Sequence, residues 1–186
     1  MPASFDLAEV KRRMESALGV LKHELGGLRT GRASATLLEP VQVDAYGTHM
    51  PISQVATVSV PESRLISVQV WDRGMVGSVE KAIRDSNLGL NPQTEGQVIR
   101  LRIPEMTEDR RKELVKVAHK YAEATRVAVR HVRRDGLDLL KKVEKDGGIG
   151  QDEEKRLADQ VQKTTDEAIA DVEKILGAKE KALLQV

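Results

Sequence analysis

A cluster of arginines in the second half of the chain has the type and spacing of an anion-binding face. Its members stand at positions i, i+4 and i+7 with one flanking residue, and the next carboxylate, Asp135, follows them. Guanidinium groups at this spacing share one side of a helix, and pairing within the helix is expected to leave part of their charge unneutralised. An ordinary solvated face is the alternative. The cluster consists of Arg126, Arg130, Arg133 and Arg134.

These arginines lie on a long amphipathic helix that the sequence predicts from Thr107 to Lys145. Thr107 is the candidate N-cap, and two carboxylates in the first turn suit the positive end of the helix dipole. The stretch holds twelve Lys and Arg against seven Asp and Glu, whereas the whole chain has a net charge of +1. Arg126, Arg130 and Arg133 are expected on nearly the opposite side of the helix from its apolar stripe, flanked by Arg134. The stripe consists of apolar or small residues: Leu114, Val117, Tyr121, Ala124, Ala128, Val132, Leu139 and Val143.

Two further amphipathic helices are predicted near the ends of the chain. One starts at the candidate N-cap Ser4 and ends near Gly26, and the other follows Gly150 to the C-terminus. Glycine is a weak cap, so this last helix is expected to start late or to fray. Each helix has an apolar stripe that it cannot bury alone, which predicts a three-helix bundle.

Between the first two helices, the hydrophobic period changes from about 3.6 residues to 2. We expect strands at 41–46, 55–60, 65–71 and 97–103, and a short helix at 76–85. The sequence thus predicts an α+β protein: residues 1–30 and 105–186 form the bundle (domain I), and residues 31–104 form an inserted β-rich domain (domain II). With eight acidic and seven basic residues from Gly31 to Glu105, the insert has no strong charge preference.

The chain crosses the predicted boundary between the two domains twice. Few contacts can form across two short linkers, which favours a hinge. The expected hinge residues are Thr30, Gly31, Arg32, Pro104 and Glu105.

Residues for catalysis or metal binding are sparse. No pair of the four histidines has the spacing of a helical metal site, and cysteine is absent. Aromatic residues make up 2% of the chain, so RNA contacts should involve phosphates and shape rather than base stacking. We expect neither an enzyme nor a cofactor nor a metal site. Without a signal-peptide core or a membrane-length apolar run, a cytoplasmic protein is expected.

Five motifs, in the same order and across essentially the full chain, strongly resemble the ribosome recycling factor family. They are Leu28–Ser34 (LRTGRAS), Val79–Ile83 (VEKAI), Leu88–Pro92 (LGLNP), Thr107–Lys112 (TEDRRK) and Ala124–Asp135 (ATRVAVRHVRRD). The resemblance implies an L-shaped molecule of about transfer-RNA size, with a three-helix bundle and an inserted β/α/β sandwich. It also implies a monomer that, with elongation factor G and GTP, splits post-termination ribosomes into subunits and releases messenger RNA and deacylated transfer RNA.

The resemblance further implies which residues contact 23S ribosomal RNA on the large subunit. Arg130 and Arg133 are the first choices, followed by Arg126, Arg134 and Arg110. Arg29 is expected to contact RNA or to brace the end of the bundle.

Two other functions remain open at this point. The chain could be a helical adaptor for a protein partner, with a basic face that is merely solvated. An enzyme ranks third, because it would need a pocket with convergent polar groups.

Overall fold

The computed structural model describes residues 4–185. The chain divides after Thr30 and after Met106 into two compact units, each with its own hydrophobic core. One unit is helical and combines segments from both ends of the chain, whereas the other contains the β-strands. The predicted α+β class, a helix bundle with an inserted sheet unit, is confirmed. Within the described residues the α-helices are α1 (Leu7–Gly26), α2 (Val76–Arg84), α3 (Glu108–Lys145) and α4 (Gln151–Leu184).

The starts of the long helices show which capping predictions were right. Thr107 caps α3 as expected: its side-chain oxygen accepts a hydrogen bond from the backbone N–H of Arg110 at 3.2 Å. The prediction of Ser4 for α1 was wrong, because Asp6 caps that helix by accepting from the N–H of Ala8 at 3.0 Å. A carboxylate is as good a cap as a hydroxyl and also complements the dipole.

Helix α4 starts at Gln151, so the expected late start was also wrong. Gly150 provides no side-chain cap, but three carboxylates follow in the first turn and complement the helix dipole. The backbone N–H of Glu154 already bonds to the carbonyl of Gly150 at 3.0 Å.

Helices α1, α3 and α4 share one core. Residues from all three form it: Val10, Met14, Val129, Val132, Leu140, Val161 and Ala168. Gly136, inside α3, is buried, and a Cβ there would lie 3.3 Å from Cγ2 of Val10. Glycine therefore lets α1 approach the backbone of α3 more closely than a larger residue would.

The inserted unit is built from antiparallel strands and α2. A four-stranded sheet has the order β3-β4-β6-β5, and β1 and β2 form a separate hairpin. Alternate residues of β4 and β6, such as Ile66, Val68 and Ile99, are fully buried and share a core with Val79 and Ile83 of α2. The strands are β1 (Gln42–Ala45), β2 (Thr48–Pro51), β3 (Ala56–Glu62), β4 (Leu65–Val70), β5 (Pro92–Glu95) and β6 (Val98–Arg102).

Two of these strands were not predicted. Strand β2 begins at Thr48, directly after a tight turn in which Tyr46 and Gly47 have positive φ angles of 52° and 80°. Strand β5 begins at Pro92, in a segment between the predicted helix at 76–85 and the predicted strand at 97–103. Both strands are short and contain no buried residue, so they lack the alternation of apolar and polar residues that identifies a half-buried strand.

Candidate nucleic-acid interface

The buried stripe of α3 determines where the arginines point. It runs along Leu114, Ala118, Ala122, Thr125, Val129, Val132, Gly136, Leu140 and Val143. This line is rotated by about a sixth of a turn from the predicted stripe. Small residues occupy the closest approach of the three helices, whereas larger ones such as Tyr121 and Leu139 lie at its edge.

Arg126, Arg130 and Arg133 therefore lie on one flank of the buried stripe, so the expectation that they lie on nearly the opposite side was wrong, and Arg134 is the one that lies nearly opposite. Projected at about 100° per residue, Arg133 and Arg126 border the core, and Arg130 and Arg134 lie progressively further out. The side chain of Arg126 is only 18% exposed, whereas that of Arg130 is 54% exposed. We call this surface the arginine face; it consists of Arg126, Arg130, Arg133 and Arg134.

Carboxylates neutralise Arg126 and Arg130, which form the N-terminal half of the arginine face. Arg126 bonds to Glu123 at 2.9 Å on its own helix, and its Nε and Nη2 bond to one oxygen of Glu173 on α4 at 2.8 and 2.7 Å. The second oxygen of Glu123 accepts from Nη1 of Arg130 at 3.3 Å. The sequence predicted that part of the cluster would stay unneutralised, and these ion pairs neutralise Arg126 and Arg130. Glu123 precedes the cluster by three residues, and Glu173 comes from another helix.

The charges of this half stabilise one another. Hydrogen bonds from Arg126 and then Arg130 lower the pKa of Glu123 below its ordinary value. Burial works to lower the pKa of Arg126, but the hydrogen bonds to Glu173 and Glu123 outweigh it and raise that pKa. Both groups are consequently ionised at neutral pH.

Arg133 and Arg134, which form the C-terminal half of the arginine face, have a different environment. Within residues 4–185, neither Arg133 nor Arg134 forms an ion pair, and the Nε of Arg133 is buried with no hydrogen-bond partner. Asp135, the expected neighbouring carboxylate, bonds to Arg13 of α1 at 3.0 Å. A buried N–H without a partner costs free energy, so the fold does not hold Arg133 by hydrogen bonds as Glu123 and Glu173 hold Arg126.

A groove of about 240 Å³ opens at this half. Its lining contains four cationic side chains and one carboxylate, and both Asp138 and Lys141 were absent from the predicted site. Lys141 follows Arg134 by seven residues, which places it on the same flank; that spacing is visible in the sequence. The lining residues are Arg130, Arg133, Arg134, Leu137, Asp138 and Lys141.

The two remaining predicted RNA contacts lie elsewhere on the bundle. Arg110 pairs with Glu113 at 3.0 Å and is about 30 Å from Arg130 along the helix axis. The exposed Arg29 follows Leu28, whose carbonyl accepts from Lys179 at 2.8 Å on α4. Since the next residue of α4, Glu180, contacts His119, Arg29 lies toward the N-terminal half of α3. The structure therefore does not bring Arg29 and Arg110 to the arginine face.

The predicted hinge residues lie where the chain passes between the two units. Gly31 has a φ of +75°, a conformation that favours glycine. Contacts within the inserted unit begin at once on both sides: the N–H of Ala33 bonds to the carbonyl of Ser63, and Glu105 pairs with Arg64. Thr30, Gly31, Arg32 and Pro104 have no side-chain hydrogen bond or ion pair among the described residues.

Metal binding and membrane insertion find no support in the part of the chain that the structure describes. Residues 4–185 contain no group of three or more His, Cys, Asp or Glu side chains that could hold a metal ion. No helix in this range combines the length and the apolar character needed to span a bilayer.

Comparison with known proteins gives consistent matches over nearly the whole chain. The family model described as ribosome recycling factor matches residues 21–184. The ribosome-recycling factor of Methylobacterium sp. (strain 4-46) is 73% identical over 183 residues, which are 98% of each chain. That of Azorhizobium caulinodans is 70% identical over 186 residues, covering both chains completely.

Solved structures with the same fold are also found. The solution structure of a ribosome recycling factor matches with a TM-score of 0.75 and 45% identity, covering 96% of this chain and 95% of that one. A second match, with a TM-score of 0.61, 47% identity and 96% coverage of both chains, belongs to models for the T. thermophilus ribosome recycling factor and the E. coli elongation factor G bound to the E. coli post-termination complex.

Proposed function

The chain belongs to the ribosome recycling factor family, and we propose on that premise that it splits post-termination ribosomes into subunits together with elongation factor G and GTP. The five motifs predicted this family and a role in ribosome recycling, and both predictions are confirmed. As a member of this family, the chain is a translation factor and not an enzyme. Elongation factor G supplies the GTPase activity.

We propose that the C-terminal half of the arginine face contacts phosphates of 23S ribosomal RNA. The observation that carries this assignment is that Arg133, whose Nε has no partner and which forms no ion pair within residues 4–185, lines a groove with four cations and one carboxylate. A phosphate oxygen in the groove would accept from the terminal N–H groups of the guanidinium groups around it. Arg133 therefore ranks first, with Arg130 and Arg134 beside it and Lys141 as an added candidate.

The other three predicted RNA contacts are expected to contribute less to binding at the groove. Arg126 is bound by two carboxylates and has most of its hydrogen-bonding capacity occupied. Arg29 and Arg110 would form a second region of contact toward the linker end of the bundle.

We propose that the linkers act as a hinge, so that the inserted unit can move while the bundle stays bound. Gly31→Ala tests this, because an L side chain is strained at φ +75° whereas proline, with φ near −65°, would redirect the chain. The variant should keep its affinity for ribosomes and split them more slowly. Gly19→Ala is the matched control, since open space surrounds Gly19 within α1. Equal loss of binding and splitting in Gly31→Ala would contradict the hinge.

The remaining partners and location follow from the same premise. Elongation factor G would act on the inserted unit and transmit force through the bundle to the contacts between the subunits. A protein with this role works as a monomer in the cytoplasm.

The recycling activity is tested by light scattering. Post-termination ribosomes are mixed with the protein, elongation factor G and GTP, and each component is omitted in turn. We expect the scattering to fall only when all three are present. No decrease, while the protein still sediments with ribosomes, would contradict subunit splitting and favour an adaptor instead.

A further inference from the structure

Glu123 binds the two arginines of the N-terminal half of the arginine face, Arg126 and Arg130, each with a different carboxylate oxygen. Oε2 accepts from Nη1 of Arg126 at 2.9 Å, and Oε1 accepts from Nη1 of Arg130 at 3.3 Å. The side chain is 54% exposed and lies on the surface of α3. It therefore connects an arginine with a structural partner to an arginine that borders the candidate groove.

The two bonds differ in how easily they can be broken. Arg126 is only 18% exposed and is also held by Glu173 through two of its nitrogens, so its position does not depend on Glu123 alone. Arg130 has Glu123 as its one ion-pair partner among residues 4–185, at the longer distance, and its side chain is 54% exposed. The bond between Glu123 and Arg130 is therefore the one that an incoming anion can replace.

A phosphate bound in the groove would compete with Glu123 for the guanidinium of Arg130. The groove is lined by Arg130 but not by Glu123, so Arg130 is the residue that the carboxylate and a bound phosphate would share. Two anions that share one guanidinium repel each other over a distance well below the Debye length of about 8 Å at physiological salt. Each anion then weakens the hold of the other on Arg130.

We propose that Glu123 competes with RNA phosphate for Arg130 and so limits the affinity of the arginine face for the large ribosomal subunit. This inference rests on the proposed contact of Arg130 with RNA. A factor that must leave the ribosome after each round gains from such a competitor, because the carboxylate takes Arg130 back when the phosphate departs.

The test uses Glu123→Gln, which keeps the shape and helix propensity of the side chain but removes its charge. Binding to isolated large ribosomal subunits is measured at several salt concentrations for this variant, for Arg130→Met and for the double variant. We expect Glu123→Gln to bind about three- to fivefold more tightly at low salt, a gain of the size that one nearby like charge accounts for. The gain should disappear in the Arg130→Met background.

A matched control separates the local effect from a change in net charge. Glu153 pairs with Arg156 at i,i+3 on α4, much as Glu123 pairs with Arg126, but its partner Arg156, unlike Arg130, does not line the groove. Glu153→Gln should leave the affinity unchanged. An equal gain in this control would overturn the inference, because the effect would then reflect net charge alone.

The other outcomes are equally decisive. Weaker or unchanged binding of Glu123→Gln would overturn the inference, and weaker binding would show that Glu123 holds Arg130 in the orientation that RNA needs. If Arg130→Met alone binds normally, the proposed contact of Arg130 with RNA fails first. Circular dichroism of each variant establishes that it is folded.

Discussion

The two halves of the arginine face consist of the same residue type on the same helix, yet they are not equivalent. Arg126 is bound by Glu123 and Glu173 and links α3 to α4. Arg133 has no ion pair within the described residues, and its Nε is buried without a partner. The neighbours of an arginine, rather than its spacing along the helix, therefore decide whether it stabilises the bundle or remains available to an anion.

Packing explains the difference between the halves. Arg126 and Arg133 are seven residues apart and border the same buried stripe, so both place part of their side chain against the core. Opposite Arg126, α4 presents Glu173. Around Arg133 the groove offers one carboxylate, Asp138, against four cations. Arg126 is therefore bound by carboxylates within the fold, whereas Arg133 keeps hydrogen-bonding groups without a partner.

The largest expected effect is on ribosome binding. Arg133→Met keeps much of the apolar stem but removes the charge, and it should weaken binding to large subunits about tenfold and reduce the salt slope by about one. Arg126→Met should change the affinity less than about twofold, because its charge is already neutralised. Sedimentation across a salt series measures both variants. Equal losses would remove the distinction between the halves.

The effect on stability should be reversed and smaller. Arg126→Met breaks a link between two helices and should lower the free energy of unfolding by about 0.5–1 kcal/mol. Arg133→Met removes a buried N–H that has no partner, so its free energy of unfolding should be unchanged or raised. Urea denaturation at neutral pH measures both. A larger loss for Arg133→Met would mean that this side chain has an internal partner.

The smallest effect concerns the titration of Glu123. Hydrogen bonds from Arg126 and Arg130 lower its pKa from the ordinary value of 4.5, so the ion pairs contribute to stability at neutral pH. That contribution is lost as the pH falls through the lowered pKa. Carbon-13 NMR of the carboxyl group should show the low pKa, and Arg126→Met should shift it back toward 4.5. An unshifted Glu123 in the unmodified protein would contradict the pairing.

The ends of the long helices show how much of the fold could be predicted. Thr107 and the carboxylates after it identified the start of α3, because capping depends on residues next to each other in the chain. Strands β2 and β5 were missed because their exposed residues carry no alternating pattern; their positions depend on pairing with β1 and β6. Asp6 replaced Ser4 as the cap of α1 because both residue types are good caps and the sequence does not rank them.

The candidate site also contains residues that the sequence could indicate and partners that it could not. Charge type and helical spacing identified Arg126, Arg130, Arg133 and Arg134, and Glu123 and Lys141 could have been added from their positions three residues before and seven residues after the cluster. No local pattern could have indicated that Glu173 binds Arg126 or that Arg13 takes Asp135, since these partners come from other helices.

By itself, the sequence determined the secondary structure of the long helices, the presence of an inserted β-rich segment, the basic character of α3 and the family. These properties follow from short-range periodicity, capping and motifs that remain recognisable residue by residue. The tertiary structure alone decided which face of α3 is buried, which arginines are neutralised and which remain available. Those features depend on how closely three helices approach one another, and Ala118, Ala122 and Gly136 set that distance only when packed against their neighbours.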